Sequence, residues 1–500
     1  MELKDYRAQI DAVDAELVRL FQARMDIAAE IADFKQAHGL PILQPAREQE
    51  KLDVLSAQVR PEIRPYLREL YTELFSLSRR YQEARQRPLR CGLLGEHLGH
   101  SYSPRIHALL GGYSYELFEV RPEDLESFLK SAAFDCLNVT IPYKQAVLHY
   151  CAALSEAAQH IGSVNTILRR SDGSLYGDNT DGEGFRWLLE RSGGIRPGEK
   201  ALVLGSGGAS LTVQAVLRSF GAEVVVLSRS GPCGYDSLPQ HRDAVLIVNA
   251  TPVGMYPGNG QRLIDLDLLP NCRCVLDLIY NPARTRLLLD AEARGIPCEG
   301  GLPMLVCQAK CAAECFTGRA IPDSRCEEIL CQLQSETENI ILVGMPGCGK
   351  TTLGRALAEA LGRPFFDADE EIVKVIGCDI PTYFAREGEA AFRRAETAVL
   401  AELGKLSGAV IATGGGCVTR PENYPLLHQN GRIVWLQRVL SALPRAGRPI
   451  SEATDLQELY AQRRDSYEAF ADLAVGNNGE IDIVLAAIIS ALHLKKGELP

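Results

Sequence analysis

One stretch limits the folds open to this 500-residue chain more than any other: GMPGCGKTTLG, Gly344 to Gly354. It has the full form Gly344-x4-Gly349-Lys350-Thr351, with the apolar run IILV before it and the helical pattern TTLGRALAEAL after. Glycines in such a loop let backbone N–H groups converge on phosphate oxygens. The helix N-terminus adds its dipole, and the lysine reaches the outer phosphates. A loop of this kind joins the first strand of its own domain to the following helix. An α/β domain therefore starts close to residue 337, and the 336 residues before it must fold into something else. A chain of this length predicts roughly three domains.

Glycine usage marks them out. Residues 1 to about 87 contain almost no glycine and read as helix. From Cys91 to about Phe316, glycine turns alternate with short apolar strands and helical runs, an α/β pattern. The polar stretch CQLQSETEN, 331 to 339, reads as the linker before the phosphate-loop domain. The net charge of −11 argues against nucleic acid or an anionic membrane as a bulk partner, while leaving room for small anionic substrates held by local arginines. Fifteen cysteines form no regular framework and no CxxC occurs. Cys307, Cys311 and Cys315 share one helical face, where small apolar packing is favoured over a thiolate metal site. The charged start MELKDYRAQIDAVD is unlike a secretory signal, and the apolar run near Ile483–Ile489 is too short to span a bilayer. The expectation is a soluble, reduced, cytoplasmic protein.

After the phosphate loop, RPFFDADE ends in Asp367 and Asp369. One carboxylate suits magnesium and the other an acceptor hydroxyl, although Asp-x-Asp after a strand also caps helices. FRRAE (392 to 396), ATGGG (412 to 416), GRPI (447 to 450) and RRDSY (463 to 467) follow in order. Together these motifs resemble shikimate kinase along nearly all of residues 337 to 500. The resemblance implies ATP on Gly344, Gly347, Cys348, Gly349, Lys350, Thr351 and Thr352, with Lys350 also catalytic and Thr351 and Asp367 at Mg2+. It places Asp369 at the shikimate 3-hydroxyl, Arg393 and Arg463 on the carboxylate, Gly415 and Gly416 as backbone donors, and Arg448 in a closing lid.

In the middle, EKALVLGSGGASLTVQAVLRSFGAEVVVLSRS reads strand, glycine loop, helix, strand, with Ser210 where a third glycine is usual. Past the second strand an NAD site would carry an acidic residue. Here stand Ser228, Arg229 and Ser230, suited to a 2′-phosphate, so NADP is read over NAD. Upstream lie HSYSP (100 to 104), NVTIPYK (138 to 144), GSVNT (162 to 166) and GDNTDG (177 to 182). Lys144 and Asp181 each close a polar segment, and a lysine paired with a carboxylate can deliver the proton that a carbonyl gains on reduction. A surface salt bridge is the plainer alternative. These segments resemble shikimate dehydrogenase from about Arg90 to Cys326. The resemblance implies Lys144 and Asp181 as the catalytic pair, and Ser101, Ser103, Asn138, Thr140, Asn165, Tyr280 and Gln308 around the substrate. NADP would lie on Gly205, Gly207, Gly208, Ala209, Ser228, Arg229 and Ser230, with NATPVGM (249 to 255) beside the nicotinamide. A two-part shape is implied: a substrate part near 91–186 with 302–320, and a nucleotide part near 187–300. A quinate-oxidising relative using NAD is the near alternative, and Arg229 speaks against it.

At the front, Ile10, Val13, Leu17, Leu20, Ile27, Ile31 and Phe34 alternate three and four apart, with Arg24 in the missing seam position. A heptad seam wants a partner helix, and a guanidinium on it must find an anion or reach water. Read alone, this could be a dimerising helical hairpin. Arg7, Arg24, Lys35, Arg47, Glu48, Ser78 and Gln82 nevertheless resemble the all-helical (type II) chorismate mutases over about residues 1 to 85. That implies Arg7 and Arg24 as carboxylate clamps, Lys35 and Gln82 at the ether oxygen, Glu48 on the hydroxyl, and a homodimer.

The whole reads as a multidomain chain: an all-α domain over 1–88, a two-part α/β dehydrogenase over 89–330 with a Rossmann nucleotide part, and an α/β P-loop kinase over 337–500. Expected activities are NADPH-dependent reduction of 3-dehydroshikimate, ATP-dependent phosphorylation of shikimate, and rearrangement of chorismate to prephenate. One rival makes the front only a dimerising or chorismate-sensing module. Another, a scaffold with decayed sites, is opposed by the intact Lys350, Asp369, Lys144 and Asp181.

Overall fold

A computed structural model describes residues 2–86, 89–99, 101–131, 133–229, 231–443 and 455–494. Arg448 and Ser230 lie outside the described residues. The chain divides into two compact bodies, Met1–Arg90 with Gly112–Ser114, and Cys91–Gly111 with Tyr115–Pro500.

The first body is built on three helices: α1 (Leu3–Ala37), α2 (Pro45–Ala57) and α3 (Arg64–Gln86). Pro45 opens α2, where a missing N–H is no loss. Both α1 and α2 pack against α3. The seam read in the sequence lies on α1, and in the single chain Ile10, Val13, Leu17, Leu20, Ile27, Ile31 and Phe34 are all exposed.

The second body begins with a mixed sheet made from β1 (Arg90–Gly95), β2 (Ser114–Glu119), β3 (Cys136–Val139), β4 (Ala153–Leu154), β5 (Thr166–Arg169) and β6 (Leu175–Asp178), with α4 (Ser103–Leu110), α5 (Leu125–Lys130) and α6 (Glu156–Ile161) between them. Its order is β2-β1-β3-β5-β6-β4. Then α7 (Asp181–Arg191) leads to β7 (Lys200–Leu204), α8 (Gly208–Ser219), β8 (Glu223–Leu227), β9 (Leu246–Asn249), β10 (Cys274–Asp277), α9 (Arg286–Glu292) and β11 (Cys298–Glu299). These strands form a parallel sheet of order β11-β10-β9-β7-β8. Helix α10 (Leu302–Thr317) returns to pack on α7 and α4, and α11 (Ser324–Thr337) packs on α10.

The third sheet comprises β12 (Asn339–Val343), β13 (Phe365–Asp367), β14 (Val410–Ala412), β15 (Gly431–Gln437) and β16 (Leu473–Gly476), with α12 (Lys350–Leu361), α13 (Ala368–Ile376), α14 (Ile380–Leu403) and α15 (Asn423–His428). The helices Leu456–Phe470 and Ile481–Ala491 complete it. Its order, β13-β14-β12-β15-β16, is parallel throughout. Continuous apolar runs explain both parallel sheets: β12 is buried at every position and β7 at all but its first, as strands covered on both faces must be.

The stretch 331–339 is not a linker. Residues 331–337 are the second half of α11, and Asn339 already starts β12. Its polar composition belongs to the outer face, while Cys326, Ile329, Leu330 and Leu333 bury the inner one. Leu333 joins Val306, Ile329 and the half-buried Trp187 in one apolar cluster. Leu333→Ala is expected to cost about 2–5 kcal/mol, seen as a lower urea midpoint when unfolding is followed by Trp187 fluorescence.

Candidate functional site

The dehydrogenase-like site lies where the mixed sheet, α7 and α10 meet. Lys144 follows β3 and Asp181 opens α7, and Lys144 Nζ donates to Asp181 Oδ2 at 2.5 Å. Asp181 is buried and Lys144 half-buried, so this is not the loose surface pair that the sequence left open. A network of buried side chains stands beside them. Asn165 Nδ2 donates to Gln308 Oε1 at 3.3 Å and to Thr180 Oγ1 at 3.0 Å, joining β5's approach to α10 and α7. Asn138 accepts from Tyr115 Oη at 2.8 Å, and Tyr115 stacks on His107 with ring centroids 3.8 Å apart. Burial lowers the His107 imidazole to about 3, which keeps it neutral. Ser101 Oγ accepts from Ser103 N at 3.2 Å, and the backbone N–H of Thr140 bonds to Leu94 O at 2.9 Å. Tyr280 is half-buried against Tyr102, with ring centroids 5.1 Å apart. Its phenol is pushed up to about 12, chiefly by burial.

Between β7 and α8 the glycine loop suits a pyrophosphate. A Cβ on Gly207 or Gly208 would project into open space, leaving the backbone approachable, and Ala209 is in the first turn of α8. Gly205 (φ +105°) takes a conformation that other residues rarely adopt, and its missing Cβ would strike Thr251 at 2.7 Å. Ser210 turns away into the helix, accepting from Gln214 Nε2 at 3.1 Å. Past β8, Ser228 Oγ is buried without a hydrogen-bond partner among the described residues, next to the exposed Arg229. An orphaned hydroxyl beside a guanidinium fits a 2′-phosphate.

Sequence reading missed the element that holds the two loops beyond this sheet. Asp277 ends β10 fully buried and accepts from Asn249 Nδ2 (3.0 and 3.1 Å), Thr285 Oγ1 (2.6 Å) and Ile279 N (3.0 Å). Asn249 in turn accepts from Thr251 N and Oγ1. Only the parallel register of β9 and β10, which sets Asp277 opposite Asn249, brings them together.

In the kinase-like part a cleft of about 990 Å³ runs from the phosphate loop to the far end of β14. Lys350 Nζ donates to the loop carbonyls of Gly344 (2.8 Å) and Met345 (3.2 Å). Gly347 and Gly349 hold positive φ, Cys348 is fully buried, and Thr352 lines the cleft. Thr351 Oγ1 donates to Asp367 Oδ2 at 2.6 Å, a hydroxyl–carboxylate pair of the type magnesium takes beside nucleotide phosphates. Asp367 also caps α13 by accepting from Asp369 N at 3.0 Å, so capping and the expected metal role coexist. Asp369 reaches into the cleft opposite Gly414, where an added Cβ would lie 2.9 Å from its Oδ1 and 2.7 Å from Glu396 Oε1. Arg393 pairs with Glu396 at 2.7 Å, and a Cβ on Gly416 would come within 2.1 Å of the same guanidinium. Arg463 Nη1 and Tyr467 Oη both donate to Gly415 O. Glu396, fully buried, and Arg438 were not singled out from sequence. Glu396 was visible as the residue three after Arg393 on one helix face.

In the helical body Arg24 Nη1 donates to Ser78 Oγ, joining α1 to α3, and burial lowers its guanidinium pKa. Lys35 is buried and donates to Ile42 O at 2.7 Å, while Gln82 is buried with Oε1 unpartnered among the described residues. Glu48 is engaged by Arg79, at 2.6 and 2.5 Å, instead of standing open to a hydroxyl. Arg47 is exposed and paired with Glu50 at 2.8 Å. Arg7 is exposed on α1, 17 residues before Arg24, or about 25 Å along one helix. The single chain does not bring those two together.

Fold and geometry define a chain of three enzyme-like regions, two of them built on parallel sheets. Family models match in the same places: chorismate mutase type II over residues 6–83, the shikimate dehydrogenase substrate binding domain over 93–167, and shikimate kinase over 346–493. A shikimate dehydrogenase (NADP(+)) of Methanopyrus kandleri is 40% identical over 264 residues, covering 46% of this chain and 91% of that protein. One from Thermus thermophilus is 40% identical over 253 residues, covering 47% and 94%. Among solved structures, a chorismate mutase/shikimate 5-dehydrogenase fusion protein from Clostridium acetobutylicum is 36% identical, covers 49% of this chain and 96% of its own, and gives a TM-score of 0.46. The chain belongs to the shikimate dehydrogenase family, and it carries a chorismate mutase region before that part and a shikimate kinase region after it.

The Asp277 carboxyl is pushed from its ordinary 3.8 to about 6 by burial, against the hydrogen bonds that pull it down. A raised folded value means that its contribution is fully present at acid pH and is lost as pH rises through about 6. Asp277→Asn should flatten that part of the profile. Between about pH 4 and 6 wild type loses stability relative to the variant, by on the order of 3 kcal/mol, measured by urea unfolding across pH.

Proposed function

We propose that this chain reduces 3-dehydroshikimate to shikimate with NADPH, phosphorylates shikimate with ATP, and rearranges chorismate to prephenate. Its regions would lie near 1–88, 89–330 and 337–500. The observation that carries the reading is the pair of Lys144 and Asp181, 2.5 Å apart and set among Asn138, Asn165 and Gln308. On bound NADPH the nicotinamide supplies hydride. Lys144, as an ammonium held in place by Asp181, gives the proton to the substrate oxygen as it becomes a hydroxyl. Ser101, Ser103, Asn138, Thr140, Asn165, Tyr280 and Gln308 fix the ring by its carboxylate and hydroxyls. The open face at Gly207 and Gly208 suits the pyrophosphate, and Ser228 and Arg229 past β8 support NADP over NAD.

In the kinase region Lys350 exchanges the loop carbonyls for phosphate oxygens, while Thr351 and Asp367 suit Mg2+. Bound magnesium neutralises charge on the phosphates. Asp369 orients the 3-hydroxyl, and Arg393 and Arg463 fork the carboxylate. Glu396 fixes the Arg393 guanidinium. Phosphoryl transfer asks the protein chiefly for positioning and charge, which these residues supply.

The mutase needs no acid, base or cofactor, only clamped carboxylates and a stabilised ether oxygen. Arg24, Lys35, Ser78 and Gln82 serve one site, with Arg47 and Glu48 at its edge. Arg7 lies too far along α1 to reach that site, and α1 exposes a continuous apolar face. A second copy of the chain covers that face and lends its Arg7, so the enzyme is a homodimer. We assign it to the cytoplasm. Among the described residues no helix is long and apolar enough to cross a membrane.

Two experiments check this reading. Wild type given 3-dehydroshikimate, NADPH, ATP and Mg2+ should yield shikimate 3-phosphate. In Lys144→Ala, NADPH oxidation should fall about 10²–10⁴-fold while phosphorylation of added shikimate continues, and undiminished oxidation would sink the assignment. For the front, Arg24→Ala should abolish chorismate turnover and leave the dimer intact in sedimentation. A wild-type dimer with no chorismate turnover would instead mark the front as a dimerising or chorismate-sensing module.

A further inference from the structure

The short turn between α15 and β15 of the kinase region is bonded to the two loops that flank the dehydrogenase site. Asn430 Oδ1 accepts from Ala283 N at 2.7 Å, and Gln429 O accepts from Arg284 N at 2.8 Å. His428 O accepts from Arg284 Nη1 at 3.2 Å. Gln429 Oε1 accepts from Asn259 Nδ2 at 2.8 Å. His428, Gln429 and Asn430 are each only 5% exposed. The turn is itself firmly seated, because Asn430 O accepts from Asn339 N at the start of β12 and Gln429 Nε2 donates to Leu426 O. Two carboxylates face the same contact. The His428 ring lies 3.5 Å from Glu292 at the end of α9 and 3.5 Å from Asp472 before β16.

The dehydrogenase segments so held are not arbitrary. Asn259 belongs to the loop leaving β9, and Ala283 and Arg284 to the loop leaving β10, whose centre carries Tyr280. The two loops are tied to each other by Tyr256 N bonding to Asn281 O at 3.0 Å. Before Tyr280, Ile279 N is held by Asp277 Oδ1, and after it Ala283 and Arg284 are anchored on the kinase turn. Tyr280 therefore sits on a bridge of a few residues with both ends fixed, one of them by another domain. The kinase's own phosphate loop leaves the opposite end of β12, about 16 Å from the turn along five strand residues.

We propose that the turn His428–Asn430 is a positioning element for the dehydrogenase reaction, supplied by the kinase region and setting Tyr280 against the substrate. This rests on the reading of Tyr280 as a substrate-side residue. Its test uses the full chain, with shikimate oxidation and shikimate phosphorylation measured on the same preparations of wild type, Tyr280→Phe and the double variant Gln429→Ala/Asn430→Ala. Losing one fixed acceptor from the bridge and one from the loop tied to it should raise the dehydrogenase KM for shikimate about tenfold with kcat little changed, and leave both kinase constants within about twofold. Tyr280→Phe should raise the same KM.

A purely structural role for the turn would instead lower the active fraction, cutting kcat of both activities together with KM unmoved, and that result overturns the inference. Unchanged dehydrogenase constants in the double variant overturn it too. If Tyr280→Phe alone raises KM, the reading of Tyr280 survives that failure. If Tyr280→Phe leaves KM unmoved while the double variant raises it, the turn positions the site through the loop backbone, and the reading of Tyr280 falls instead.

Discussion

A buried cation is costly unless a fixed oxygen answers it, and a chain of net charge −11 that handles anions must keep cations buried and ready. Four of the cations proposed for its sites are held this way. Lys350 rests on two loop carbonyls, Arg393 on Glu396, Lys144 on Asp181 and Arg24 on Ser78. The partners differ in kind, and the difference follows the task. Lys350 has neutral partners, two carbonyls and the Cys348 sulfur, which a phosphate displaces readily. Arg393 has a fully buried carboxylate that no substrate will displace, so its fork stays aimed. Burial pushes the Glu396 carboxyl up and Arg393 pulls it back, as expected where the pair is kept for geometry.

Strand direction decides where those cations can stand. In an open parallel sheet the loops beyond the carboxyl ends of the strands gather at one edge, and ligands bind there. The phosphate loop after β12 and Asp367 at the end of β13 share such an edge with the ATGGG segment after β14. In the other parallel sheet, the glycine loop after β7, Ser228 after β8, Asn249 at the end of β9 and Asp277 at the end of β10 do the same. The two halves of the second body thus reach the same solution with unlike loops. One uses a lysine and a helix N-terminus, the other an approachable backbone and a polar pocket past the second strand.

This edge rule also accounts for what sequence could deliver. Loop glycines, the strand before them and the helix after them are contiguous, so GMPGCGKTT and GSGGAS were legible with their elements. Lys144 and Asp181 were legible only as ends of polar segments. Their contact needs β3 and α7 brought together, 37 residues apart, and only the fold does that. Asp277 was illegible for the same reason in stronger form. CVLD reads as a plain apolar strand with a polar end, and its partner Asn249 arrives by a crossover. The misread linker at 331–339 shows the opposite failure. Composition described the wet face of α11 and said nothing of Leu330 and Leu333 behind it. Glu48 and Arg47 each pair with an oppositely charged residue, Arg79 on α3 and Glu50 one turn on, which a list of matching residues does not foresee.

Fusion itself alters what each part must do alone. A dehydrogenase standing free must hold the loop from Leu278 to Thr285 with its own groups. Here the outer bonds of that loop come from residues that also build the kinase sheet, through Asn430 and Asn339. The cost of ordering the loop is then shared with the folding of another domain, which is already rigid where the loop meets it. His428 adds a titratable ring to the same contact. Burial favours its neutral form, yet Asp472 and Glu292 outweigh burial and raise its pKa, and the ring faces a carboxylate of each region at 3.5 Å. The contact between the two regions is therefore both buried and polar, and it lies against the loops that leave β9 and β10.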